Sequence, residues 1–218
     1  MSQNFDVVVA GASIAGCTAA RLFAQAGARV ALVEKRPDPA AHKVACTHQI
    51  QPSAVPTIER LGLAPLLDQV GAVRTKPAAW TPFGGWLAFP RDAARGWGVT
   101  RRTLDPMLRK LALDTPGVEG FLGQTVVGVL GDRARAEGVE VEGTDHRRVA
   151  IRAKLTVAAD GIGSSLSRMA RVPGRVRPNE RFTYFGYWRG VRTPDARPGY
   201  GCSIPRRRPC SRTRTASP

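Results

Sequence analysis

Gly11, Ser13, Gly16 and Glu34 have the types and spacing to hold a nucleotide. The first three lie in FDVVVAGASIAGC, residues 5–17, and Glu34 ends RVALVE, residues 29–34. A dinucleotide-binding turn uses three glycines. The first permits a tight exit from a strand, the second lets the backbone approach a pyrophosphate, and the third lets helix and strand pack closely. Gly11 and Gly16 fill the first and third places. Ser13 holds the second and adds only a small hydroxyl, which can itself donate to phosphate. Ala12, Ile14 and Ala15 complete the turn and open a helix, whose free N–H groups and dipole favour an anion. Glu34 lies 18 residues beyond Gly16, near the spacing at which a carboxylate grips a ribose hydroxyl. A β-α-β unit with glycines needed only for packing is the competing reading.

Other chemistries find little support. Cys17, Cys46, Cys202 and Cys210 form no C-x-x-C pair, and with His42, His48 and His146 they make no cluster of zinc spacing. Reduced, unpaired thiols and no metal site are therefore expected. No residue stands out as a catalytic acid or base.

The elements that must position these residues are readable from hydrophobic period. Residues 5–10 are a near-continuous apolar run, as in a parallel strand buried on both faces. Residues 14–27 carry a helical stripe that stops at Gly27, and 29–34 form a second strand. Residues 37–50 read as loop. A helix is expected over 52–61 and a shorter one over 64–70. Residues 72–97 read as strands and turns, and 101–113 as an amphipathic helix with Leu104, Leu108 and Leu111 on one face. The period then falls to two, predicting strands at 118–122, 124–130, 137–143, 147–152 and 154–158. The stretch DGIGSSLSRM reads as a turn entering a short helix, and 182–190 as one more strand.

The chain has 218 residues and a formal net charge of +16. Of that excess, +10 lies between Arg171 and the end, in arginine alone. A nucleic-acid module would need a reading helix or an aromatic platform beside this charge, and neither is seen. No run approaches the roughly 18 apolar residues of a membrane span. No basic segment followed by an apolar one opens the chain, so a cytoplasmic protein is expected.

Three stretches together resemble a known family. VVVAGASIAGCTAARLFAQAGARVALVEKRP, VTRRTLDPMLRKLA and AADGIGSSLSRM are similar, in order and spacing, to FAD-dependent oxidoreductases of the aromatic-hydroxylase (group A flavin monooxygenase) and geranylgeranyl-reductase type. The likeness covers about residues 4–192. It implies FAD as the tight cofactor, with Gly11, Ala12, Ser13, Ile14, Ala15 and Gly16 at the pyrophosphate and Glu34 at the adenosine ribose. Lys35 and Arg36 would lie beside the adenosine and Val126 against the adenine. Arg101, with Arg102 as its neighbour, would reach the phosphates, and Asp160 would sit near the pyrophosphate. Cys46, Thr47 and His48 fall in the loop that lies beside the flavin ring in this family. NAD(P)H would be the reductant and a small aromatic or polyketide-like molecule the substrate, to be hydroxylated. Reduction of an isoprenoid double bond and a truncated, inactive fragment are the alternatives. The family's late Gly-Asp motif, which holds the ribityl chain, is not found.

The expected fold is α/β: a Rossmann-like FAD/NAD(P)-binding domain with a parallel sheet, helices and an antiparallel strand layer, plus the start of a β-rich substrate domain. The expected boundaries are 1–175 for the FAD-binding domain, with 72–100 inserted toward the substrate domain, and 176–197 for the start of the substrate sheet. Residues 198–218, rich in Arg and Pro, are expected to form a disordered tail. Their abrupt composition suggests a frameshift product, against a genuine basic tail.

Overall fold

A computed structural model describes residues 3–75, 80–81, 85–86, 94–132, 134–175 and 177–178. The strand expected at 182–190 and the tail at 198–218 lie outside the described residues.

The chain opens with β1 (Gln3–Ala10), α1 (Ile14–Gln25) and β2 (Val30–Glu34). Next come β3 (Gln49–Ile50), a 3-10 turn at Pro52–Ala54, α2 (Val55–Arg60), α3 (Ala64–Gln69) and β4 (Val73–Thr75). The short strands β5 (Trp80–Thr81), β6 (Gly85–Trp86) and β7 (Gly96–Gly98) precede the long helix α4 (Arg101–Leu113). The described part ends with β8 (Val118–Leu122), β9 (Thr125–Gly131), β10 (Ala136–Glu142), β11 (Arg148–Ala158) and α5 (Ser165–Met169).

Six strands form the main sheet in the order β8-β2-β1-β11-β10-β9. The first four run parallel. The antiparallel strands β10 and β9 join the same sheet through β11. From β1 the chain steps to β2 and β8 on one side, and later returns to β11 on the other. The end of β1 is thus a topological switch point, where open α/β sheets bind their ligands.

Alternation over residues 7–10 of β1 explains its place. Val7 and Val9 face the core beneath α1, α3 and α4, while Val8 and Ala10 face a second core against β10 and α5. Phe5 joins the second core because the pattern slips at Asp6 and Val7, whose N–H groups both donate to the Arg29 carbonyl. Buried on both faces, the strand reads as an apolar run. On α1 the buried face is Gly16, Cys17, Ala20 and Ala24, small side chains that bring the helix close to the sheet.

Three expectations are corrected. The strands placed at 147–152 and 154–158 are one strand, β11. Ala153 is buried in step with Ile151, Arg148, Arg152 and Lys154 point outward to Glu142, Glu137 and Asp6, and the pairing with β1 keeps one register through Ala153 from Ile151 to Ala158. The helix placed at 52–61 begins as a 3-10 turn. Pro56 has no N–H to give the Pro52 carbonyl, which accepts instead from Val55. Within the expected loop 37–50, Gln49 and Ile50 pair with β7.

Candidate functional site

The turn between β1 and α1 is built by two glycines whose places leave no room for a Cβ. Gly11 has φ of +102°, and a Cβ there would lie 2.5 Å from the Ala159 carbonyl oxygen. A Cβ on Gly16 would lie 1.7 Å from the Gly11 carbonyl oxygen. Ser13 is the N-cap of α1, in extended conformation, and its carbonyl accepts the first helical bond from Cys17 at 2.9 Å. Its hydroxyl makes no capping bond. Ile14 and Ala15 are exposed, and no acidic residue occupies the first turn. The positive end of the helix dipole is therefore open and not neutralised from within the turn. Glu34, at the end of β2, closes one side of the turn. Its carboxylate accepts from Ala12 N–H at 2.9 Å and from Arg36 N–H at 3.1 Å.

Helix α4 supplies the other side. Arg101, Asp105 and Arg109 recur every four residues on its buried face, beside Leu104 and Leu108. The Arg101 guanidinium donates from Nε to Asp105 Oδ1 at 2.5 Å and from Nη2 to Asp105 Oδ2 at 2.9 Å. Nη2 also donates to Ser13 Oγ at 2.9 Å. Burial works against the Arg101 charge, but the Asp105 carboxylate outweighs it and raises the guanidinium above its ordinary pKa. Arg101 is thus charged at every working pH. Two turns on from Arg101, Arg109 donates to the carbonyl of Ala12 at 3.0 Å, to that of Ala41 at 2.9 Å, and to that of Pro39. Asp105 also accepts from Lys43 N–H at 3.1 Å. The helix therefore ties the glycine turn to the 39–43 loop.

Asp160 follows β11 and lies beside the same turn, since Ala159 N–H donates to the Ala10 carbonyl at 2.9 Å. Its carboxylate accepts from Leu166 N–H at 3.1 Å and from the Ser165 hydroxyl at 3.2 Å, so it caps α5. Burial pushes this carboxyl up, but hydrogen bonds from Ser164, Leu166 and Ser165 outweigh it and hold it below its ordinary value. Val126 is on β9, two residues beyond Gln124, whose N–H donates to the Glu34 carbonyl at 3.1 Å.

The structure brings Gly11, Ala12, Ser13, Gly16, Glu34, Arg101 and Asp160 to one end of β1. Lys35 and Arg36 are exposed beside Glu34, and Arg102 points to solvent. Thr47 is exposed, while Cys46 and His48 are half-buried next to Arg101. His48 Nδ1 accepts from Arg101 N–H at 3.2 Å, and Cys46 is a further side-chain partner of the guanidinium. Sequence reasoning missed Asp105 and Arg109. Their signal was present: two charged residues at four-residue spacing from Arg101, set inside the apolar stripe of Leu104 and Leu108. Among the described residues, no group of three His, Cys, Asp or Glu side chains is placed to hold a metal ion. No helix among them is long and apolar enough to cross a membrane.

A family model described as an FAD binding domain matches residues 4–192. Digeranylgeranylglycerophospholipid reductase 2 of Methanopyrus kandleri is 32% identical over 185 residues, covering 85% of this chain and 44% of that protein. A geranylgeranyl bacteriochlorophyll reductase-like protein from Thermoplasma acidophilum has a structure similar at a TM-score of 0.67 and 21% identity, over 83% of this chain and 45% of that one. A probable FAD-dependent monooxygenase from Pseudomonas aeruginosa is similar at a TM-score of 0.65 and 19% identity, over 82% and 49%. The chain thus spans under half the length of the proteins it matches.

Proposed function

This chain belongs to the FAD binding domain family, and we propose that it is the FAD-binding part of a flavin-dependent oxidoreductase. In this reading residues 11–16 hold the pyrophosphate, Glu34 the adenosine ribose and Arg101 a phosphate. Lys35, Arg36 and Val126 border the adenosine, and Asp160 lies near the pyrophosphate. The observation that carries the reading is an open, dipole-positive helix end at the switch point of the sheet, faced by a permanently charged Arg101.

The residues fit the group in three respects. The tight turn closes because Gly11 and Gly16 carry no Cβ, which would meet the Ala159 and Gly11 carbonyl oxygens, and at the place of the middle glycine it carries only the small Ser13 side chain. Its first-turn N–H groups are not consumed by Ser13. The Glu34 carboxylate takes one backbone bond on each oxygen and keeps acceptor capacity for a hydroxyl. FAD bound there supplies hydride and electron transfer. The protein's own residues bind and orient it, and the cores on both sides of β1 keep the turn rigid.

NAD(P)H is the reductant in this reading, a small molecule the substrate and the cytoplasm the location. Residues 1–175 form the FAD-binding domain, and the substrate domain starts at 176–197. The reaction read from the three motifs is hydroxylation of an aromatic or polyketide-like molecule. A second reading, reduction of an isoprenoid double bond, is favoured by the 32% identical reductase.

The test is a titration of the purified chain with FAD, followed by flavin absorbance, and then NAD(P)H oxidation with each substrate class. Oxygen uptake coupled to an aromatic substrate supports hydroxylation, and anaerobic saturation of a geranylgeranyl lipid supports reduction. Bound FAD without turnover identifies a binding part alone. A chain that leaves the FAD spectrum unchanged at millimolar concentration overturns the proposal.

A further inference from the structure

We infer that Ser13 is a positioning residue: its hydroxyl, standing where the fingerprint has its middle glycine, holds Arg101 in place at the phosphate-binding turn. The inference rests on the FAD reading above and extends it to a residue whose side chain the fingerprint does not require.

A serine at an N-cap ordinarily turns its oxygen back to accept from the second or third N–H of the helix. Ser13 does not. Its Oγ accepts from Arg101 Nη2 at 2.9 Å, across 88 residues of sequence. Two consequences follow. The first-turn N–H groups of α1 stay available to an anion, because the cap that would consume one is directed elsewhere. The guanidinium, held by the two oxygens of Asp105 and with Cys46 as a further partner, gains an anchor on the turn itself. The Ser13 bond thus ties the fork to residues 11–16.

An arginine held in its binding geometry loses less side-chain freedom when the anion arrives, so ordering it in advance raises affinity. Replacing Ser13 by glycine restores the three-glycine fingerprint. Pattern alone predicts that this improves binding, whereas the Ser13–Arg101 bond predicts that it weakens binding.

The test compares the wild-type chain with S13G, S13A and S13T, titrating each with FAD and separately with ADP. A thermal melt of each variant checks that it folds. We expect S13G and S13A to weaken both ligands about fivefold, because the arginine side chain must then be ordered as the anion binds. S13T keeps the hydroxyl on an extended backbone that suits a β-branched residue, and is expected within twofold of wild type. In an R101A background, S13A is expected to change affinity less than twofold, because the partner is gone. S13G binding FAD as tightly as wild type overturns the inference alone. So does the same loss appearing with and without Arg101. A folded wild-type chain that binds neither FAD nor ADP overturns the functional reading and this inference with it.

Discussion

Replacing Gly16 by alanine puts one methyl group where the fold has no room. The new Cβ would sit 1.7 Å from the Gly11 carbonyl oxygen, where ordinary contact begins at 3.4 Å. The start of α1 must therefore retreat from β1 by roughly 1.7 Å. Both sides are stiff: β1 is paired on both edges, and α1 packs on the sheet through Cys17, Ala20 and Ala24. Forcing such a gap costs about 1–3 kcal/mol. That leaves most of the ~5–15 kcal/mol that holds an ordinary domain together, so the variant still folds. Binding is expected to suffer more. The N–H groups of residues 13–16 move with the helix, and a shift above 1 Å takes a donor out of hydrogen-bond range. Losing one charge-assisted bond costs about 1.5–3 kcal/mol, which is ten- to hundredfold in affinity. The assay is urea unfolding together with FAD titration, with G174A as control, because a Cβ on Gly174 meets nothing within 4 Å. G16A within 0.5 kcal/mol of wild type and unchanged in FAD affinity refutes the reasoning.

Two further perturbations test the supporting shell. Arg109 is buried and serves three carbonyls, so R109M leaves the oxygens of Ala12, Pro39 and Ala41 without their donor. A loss of about 3 kcal/mol is expected by urea unfolding, and R109K recovers only part of it because the planar fork is gone. Cys17 reports on pH. Burial pushes its thiol from 9.0 up to about 12. Below pH 9 both states keep the proton and stability is unaffected. Between pH 9 and 12 the unfolded chain releases it while the folded chain does not, so stability falls by about 1.4 kcal/mol per pH unit. C17A is expected to remove that part of the slope in melts between pH 8.5 and 10.5.

The parallel half of the fold was legible because its signals are local. FDVVVA and RVALVE are apolar on both faces, and Gly11 and Gly27 mark the turns on either side of α1. The three stretches that carry the resemblance lie in the order the fold needs. The joining of two strands into β11 was not legible, since Arg152 and Lys154 resemble turn residues until Glu137 and Asp6 are placed opposite them. At the site, the glycines and Glu34 could be read from spacing. The bond from Arg101 to Ser13 joins residues 88 apart, and only the packing of α4 on α1 creates it. The roles of Asp105 and Arg109 depend on the 39–43 loop folding back over α4, and the loop sequence PAAHK carries no pattern that announces this.

The turn at residues 11–16, with Glu34 and Arg101, is proposed to bind the ADP half of FAD. Calorimetric titration of the 218-residue chain with ADP tests it most directly, because ADP contains the pyrophosphate and adenosine but no flavin. One site per chain is expected, with competition by FAD and a loss of at least tenfold in R101A, the size of a charge-assisted phosphate contact. FAD binding that ADP does not displace, or that R101A leaves unchanged, contradicts it.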